Sequence, residues 1–221
     1  MEYETPIVEA TELYLKKTGG ELGTQLFRFE DQGGRDVTLR PEVTASLGRV
    51  LIESQRAYQK PMRWFEIGQC FRYEAPQAGR TREFYQFNVD LIGEAEPTAD
   101  AELIALTIEL MREFGFKQGD FIIRLSDRGY WQNFANSKGL DDNQAEALLS
   151  IIDKLERDKD GVCGPKLEEL GLSLEEVREA INAPSALSQD LQVVLDNLEA
   201  RGMRDDVAVD LSIVRGLAYY T

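Results

Sequence analysis

Residues 62–73 and 83–92 constrain this 221-residue chain more than any other part of it. Both are strand-like runs, and between them lies an exposed-looking loop with Pro76, Gly79, Arg80 and Arg82. Two such runs joined by a turn-rich loop predict a long antiparallel pair. A sheet of that kind must bury a face, so helices are expected to pack beside it. Strand alternation then turns Gln86 and Asp90, four residues apart, to the same face.

The remaining pattern extends this frame to an α+β fold, an antiparallel sheet with flanking helices. Pro6 is expected to open a helix carrying Ile7, Ala10, Leu13 and Tyr14, with Gly19 and Gly20 ending it. Residues 26–30 and 36–39 alternate as strands around Asp31-Gln32-Gly33-Gly34, a hairpin signal. Pro41 is expected to start a second helix with Leu47, Val50, Leu51 and Ser54 on neighbouring faces. A third runs from the expected N-cap Thr98 to Phe114, with Leu103, Leu106, Leu110 and Phe114 as its core stripe. Residues 121–125 read as a short strand.

Past Ser126 the character changes. Residues 130–204 show no strand pattern, whereas 145–155 and 187–198 have helical periodicity. Ser173 and Glu176 form a capping-box signature, and 161–165 and 182–185 read as loops. Residues 207–214 return to a strand pattern. The expected organisation is a core of residues 1–129 and 205–221, interrupted by a helical insertion at 130–204.

Composition narrows the chemistry. Hydrophobic residues make up 43% and charged residues 29%, values of a globular protein rather than a disordered one. Forty acidic against 25 basic residues give a net charge of −15, which argues against broad, sequence-independent binding to nucleic acid. The absence of histidine excludes imidazole bases, Ser-His triads and His-ligated zinc. Cys70 and Cys163 have no metal-ligand spacing and form no disulfide framework. No apolar run is long enough to span a bilayer and no secretory signal pattern opens the chain, so a cytoplasmic location without a membrane partner is expected. Trp64, Trp131 and Cys70 are expected in the core.

Arg72, Arg80 and Arg82 concentrate guanidiniums around the hairpin loop, and planar forks of this kind hold phosphate oxygens bidentately. Arg72 beside Glu74 would by itself read as a surface ion pair of little worth. Next to an amide and a carboxylate suited to a polar or cationic ligand, phosphate clamps point to ATP-dependent activation of an acid.

Four runs carry a family resemblance: FRYE from Phe71, AGRTREFYQ from Ala78, TLRPEVT from Thr38 and VRGLAYYT from Val214. FRYE resembles the start of motif 2 of class II aminoacyl-tRNA synthetases, and TLRPE and RGL-x-YY are similar to the amino-acid-binding signatures of histidyl-tRNA synthetases. The resemblance covers nearly the whole chain, more loosely over 130–204. It implies activation of histidine by ATP, with Mg²⁺ on the phosphates, and transfer to histidine tRNA by a homodimer. It further implies that Arg72 and Arg215 contact the α-phosphate, and that Glu74 places adenine while Arg80 meets the outer phosphates. Glu42 and Thr44 would hold the α-amino group, with Gln86 and Asp90 completing the pocket. Tyr219, Tyr220 and Asp90 would read the imidazole, Arg72 would also contact the carboxylate being activated, and Arg215 would border the histidine site. No resident metal ligands are expected.

Two features depart from the family pattern: Asp90 replaces a glutamate common among relatives, and Ala218 replaces a frequent acidic residue. The helix before Pro6, motif 3 and an anticodon-binding domain are missing from the sequence, so the resemblance implies an incomplete class II catalytic core. Such a piece is expected to expose sheet edges and self-associate, with the helical insertion folding by itself. The alternative is a synthetase-like regulatory subunit of ATP phosphoribosyltransferase, which senses histidine without activating it.

Overall fold

The computed structural model describes residues 1–158, 161–184 and 186–214, with backbone alone for residues 17–22. Two compact units divide the chain, Met1–Glu94 and Ala95 onward.

The first unit is built on two antiparallel sheets. Strands β1 (Val8–Ala10), β2 (Phe27–Glu30) and β3 (Asp36–Leu39) form one in the order β1-β3-β2. The expected hairpin between β2 and β3 is present. The Asp31 carboxylate accepts the Gly33 and Arg35 amides at 2.8 and 3.0 Å, and Gly34 supplies a φ of 76°. Strands β4 (Met62–Phe71) and β5 (Glu83–Ile92) form the long pair, with Met62 opposite Ile92 and Phe71 opposite Glu83. The two sheets are joined by backbone bonds near the C-terminal end of β4: Phe71 N–H donates to Arg40 O at 2.9 Å, and Tyr73 N–H to Gln25 O at 2.7 Å.

Two helix starts differ from expectation. The segment after Pro6 is first extended, and helix α1 begins only at Thr11 (Thr11–Thr24), passing through Gly19 and Gly20. Pairing of Val8–Ala10 with β3 outweighs the local helical periodicity there. Helix α2 spans Thr44–Ser54, so Pro41 and Glu42 lie in the approach to the helix rather than its first turn. Tyr14, Leu26 and Ala45 form one small core, and Leu47, Met62 and Trp64 another.

In the second unit, helix α3 (Thr98–Glu113) has Pro97 rather than Thr98 as its N-cap. Its buried face is Ala101, Ala105 and Ile108, while Leu106 is 40% and Phe114 75% exposed, contrary to the expected leucine stripe. The small alanines face helix α8 (Gln189–Ala200), whose Leu191, Val194, Leu195 and Leu198 fill the shared core. Strands β6 (Ile123–Leu125) and β7 (Val207–Val209) join this core and pair parallel, unlike the other sheets. The strand expected over 207–214 thus ends at Val209, because the chain turns at Asp210.

Helices α4 (Arg128–Ser137), α5 (Asp142–Leu155), α6 (Cys163–Glu169) and α7 (Leu174–Asn182) surround a separate apolar core with Trp131, Leu148, Ile152, Leu167 and Val177 at its centre. Helix α6 occupies part of the stretch expected as a loop, with Pro165 in its first turn, where the missing N–H costs nothing. Among the described residues, 130–204 contain no strand.

Candidate active site

The β4–β5 pair positions several of the residues expected to form a pocket. On β4, Trp64, Glu66, Gly68 and Cys70 are buried at alternate positions, and they stand opposite Asp90, Asn88, Gln86 and Phe84 of β5. Gln86 and Asp90 therefore share one face, both half-buried. Arg72 continues the same parity just past β4. Its N–H donates to Arg82 O at 2.9 Å, and its guanidinium lies 5.3 Å from the Phe84 ring centroid. Arg72 Nε also donates to Pro41 O at 3.0 Å, which ties the arginine to the residue preceding Glu42. Arg72, Gln86, Asp90 and the segment bearing Glu42 and Thr44 are thus brought to one sheet region.

The other hairpin residues form a second group. Glu74 pairs with Arg80 at 3.0 Å rather than with Arg72. Arg82 stacks on Tyr73, 4.0 Å from the ring centroid, and donates to Glu74 O at 3.1 Å. The Gln77–Arg80 turn, with Gly79 at a φ of 76°, leaves the Arg80 side chain 64% exposed. Arg215, Tyr219 and Tyr220 lie outside the described residues.

The same face carries a buried ion pair. Arg40 and Glu66 are 4% and 3% exposed, with Arg40 Nη1 2.6 Å from Glu66 Oε1. The same nitrogen donates to the Thr5 carbonyl and hydroxyl at 2.7 Å each, and Nε donates to Gln69 O at 2.7 Å. The Thr5 hydroxyl donates to Glu66 Oε2 at 2.9 Å. A β-carbon at Gly68 would meet Arg40 Nη2 at 2.6 Å and Glu66 Oε1 at 2.8 Å, so glycine is what lets the guanidinium cross the strand. The pair fixes the residue two before Glu42 onto β4. Glu66 and Tyr3 lie outside the sequence motifs, and Arg40, although part of the TLRPE run, has no role assigned to it; all three emerge from the packing. One signal does exist: Glu66 has the parity of Met62, Trp64 and Cys70, and a carboxylate in that row demands a buried cation.

Two further donors reach the pocket side chains. The Cys70 thiol lies 3.2 Å from Gln86 Oε1, and Tyr3 Oη donates to Asp90 Oδ2 at 3.2 Å. Burial pushes the Cys70 thiol up to about 11, Arg40 and Arg72 pull it down, and Glu66 and Glu42 push it further up. The thiol therefore stays protonated at neutral pH. Among the described residues no cluster of three or more acidic or thiol side chains can hold a metal ion. No described helix is long and apolar enough to cross a membrane.

The histidyl-tRNA synthetase family model matches residues 2–221. The chain belongs to the histidyl-tRNA synthetase family. It is 39% identical to the histidine–tRNA ligase of Opitutus terrae and 38% identical to that of Haloarcula marismortui, covering 100% of this chain and 55% of each relative. The chain thus spans about half the length of the curated relatives it matches. A solved structure from Bacillus halodurans, described as an ATP phosphoribosyltransferase regulatory subunit/histidyl-tRNA synthetase, is 26% identical, with a TM-score of 0.78 over 100% of this chain and 61% of that one. The histidyl-tRNA synthetase of Nostoc sp. PCC 7120 shares the fold, with a TM-score of 0.79 at 23% identity over 100% of this chain and 55% of that one. The expected synthetase catalytic-core architecture is therefore present, and the TLRPE and FRYE runs of this histidyl-tRNA synthetase family member meet where Arg72 touches Pro41.

Proposed function

We propose that this chain carries the histidine-activating site of a class II histidine–tRNA ligase. The observation that carries the reading is the β4–β5 face. Arg72 is anchored there to the carbonyl just before Glu42, in line with the strand face that presents Gln86 and Asp90. A cation for phosphate and an acid–amide pair for the amino acid thus lie on one rigid support. In this reading a histidine carboxylate oxygen attacks the α-phosphorus of ATP. The bond from that phosphorus to the β-phosphoryl oxygen breaks, and pyrophosphate leaves with the electron pair. The 3′-terminal hydroxyl of histidine tRNA then attacks the carbonyl of the adenylate, loses its proton and displaces AMP.

Arg72 and Arg215 are the catalytic cations, whose fixed charge is matched to the pentavalent phosphorus. Glu74 and Arg80 serve the adenine and outer phosphates, and parting their 3.0 Å ion pair frees both groups for the nucleotide. Glu42 and Thr44 take the ammonium, while Gln86, Asp90, Tyr219 and Tyr220 complete the histidine site. Mg²⁺ enters with ATP as part of the substrate, since that ion binds mainly through phosphate oxygens and water. The protein acts as a cytoplasmic homodimer, and residues 130–204 are an inserted helical segment. The α4–α7 core supports that division, and α8 links it to α3.

Histidine-dependent exchange of pyrophosphate into ATP tests the reading. The natural full-length protein should show exchange, and Arg72→Ala should lower it at least about 100-fold by removing preorganised charge at the α-phosphate. The description shared by the Bacillus halodurans structure keeps a histidine-sensing regulatory subunit as a second reading. Histidine binding with no exchange would select it.

A further inference from the structure

We infer that Tyr3 is a positioning residue for Asp90, holding the carboxylate that faces the histidine side chain. The inference rests on the functional reading above. Residues 1–3 run parallel to β4: Phe65 N–H donates to Met1 O and Tyr3 N–H donates to Phe65 O, both at 3.0 Å. Asp90 belongs to β5, on the far side of β4, and stands opposite Trp64. The Tyr3 ring lies against Trp64, with centroids 5.8 Å apart, and its hydroxyl reaches Asp90 Oδ2 at 3.2 Å. Trp64 is itself 4% exposed and meets the Tyr58 ring edge-on at 4.9 Å. The phenol is thus held at both ends, by backbone pairing and by a buried indole.

An aspartate has one methylene, so the strand fixes its reach and rotation about the Cβ–Cγ bond sets where its oxygens point. A donor on Oδ2 limits that rotation. Burial, followed by the charge of Asp90, pushes the Tyr3 phenol well above its ordinary value, so it remains a proton donor across the neutral range. An anchor for the strand end alone would need the backbone bonds and the ring, not the hydroxyl.

Tyr3→Phe keeps the ring and deletes the hydroxyl. In pyrophosphate exchange by the natural full-length protein, it should raise KM for histidine about tenfold, as loss of a hydrogen bond to a charged group does. KM for ATP and kcat should stay within about twofold. Asp90→Asn should also raise KM for histidine, and the double variant should be little worse than Asp90→Asn alone, because the two act as a unit. A normal KM for histidine in Tyr3→Phe beside a raised one in Asp90→Asn would overturn the role of Tyr3 and leave the pocket reading standing. Equal rises in KM for histidine and ATP, or simple additivity in the double variant, would also overturn it. Asp90→Asn with unchanged histidine KM would remove the pocket reading and this inference together.

Discussion

The strand unit and the helical core of α4–α7 spend their interiors differently. On the β4–β5 face the central buried contact is an ion pair, Arg40 with Glu66, whose side chains are 5% and 4% exposed. In the helical core the fully buried side chains are apolar, led by Trp131, Leu148, Ile152 and Leu167. The buried carboxylates of the second unit lie at helix ends. Asp127 caps α4 through the Tyr130 amide at 2.9 Å, and Asp206 pairs with Arg112, whose side chain is 36% exposed. Burying both partners of an ion pair is a poor way to gain stability compared with well-packed hydrophobes. It makes sense where a charge must pin a loop in one geometry, and Arg40 does so two residues before Glu42. The lesson is that one interior is built for placement and the other for cohesion.

The largest expected effect breaks the first interior. Arg40→Met leaves Glu66 buried without its cation and should destabilise the strand unit by about 3–5 kcal/mol. Arg40→Met combined with Glu66→Leu should recover much of that loss, yet leave pyrophosphate exchange in the full-length protein impaired. Recovery of both would mean that the pair does not position the site. Each unit holds one of the two tryptophans, Trp64 and Trp131, so urea titrations of single-tryptophan variants can follow the units separately. The next effect tests the second interior. Leu148→Ala, at a position with no exposure, should cost about 3 kcal/mol in the Trp131 transition, within the usual range for a buried leucine. Because this interior supplies cohesion, histidine binding by the folded variant should be unchanged. A change in histidine affinity would blur the contrast between the units.

The contrast also explains what was legible in the sequence. The β4–β5 pair was readable because two long alternating runs flank a loop with Pro76 and Gly79, and local pattern and global pairing agree there. The Gln86–Asp90 face followed from strand parity alone. Helix α3 was readable as a helix but not as to its buried side. Leucines at 103, 106 and 110 and small residues at 101 and 105 both repeat at helical spacing, and the partner's bulk decides between them. Where α8 brings four large aliphatics, alanines permit close approach. The late start of α1 was hidden because β1 depends on β3, nearly thirty residues away. Arg40 and Glu66 were hidden for the same reason, since a buried pair is a long-range fact carried only faintly by the parity of one glutamate.

The smallest effect concerns the helix ends that serve the cohesive interior. At the start of α7, Ser173 Oγ accepts the Glu176 amide at 3.1 Å, while the Glu176 carboxylate accepts the Ser173 amide at 2.9 Å, completing the expected capping box. Ser173→Ala should lower stability by about 1 kcal/mol, the usual cost of losing a serine cap. Lys138 donates to Glu176 at 2.8 Å, and this contact, followed by the Ser173 amide and hydroxyl, pulls the carboxyl down to about 2. A depressed carboxyl contributes fully above its unfolded value of 4.5, and that contribution disappears as pH falls through about 2. Native protein should therefore exceed Glu176→Gln slightly at neutral pH, less so at high salt, and the two should converge as pH drops across that window. Because Glu176 is a surface residue, the difference should stay far below that of Arg40→Met. Parallel acid titrations of the Trp131 signal would measure it, and a gap that widened on acidification would show that the Lys138–Glu176 contact does not stabilise α7.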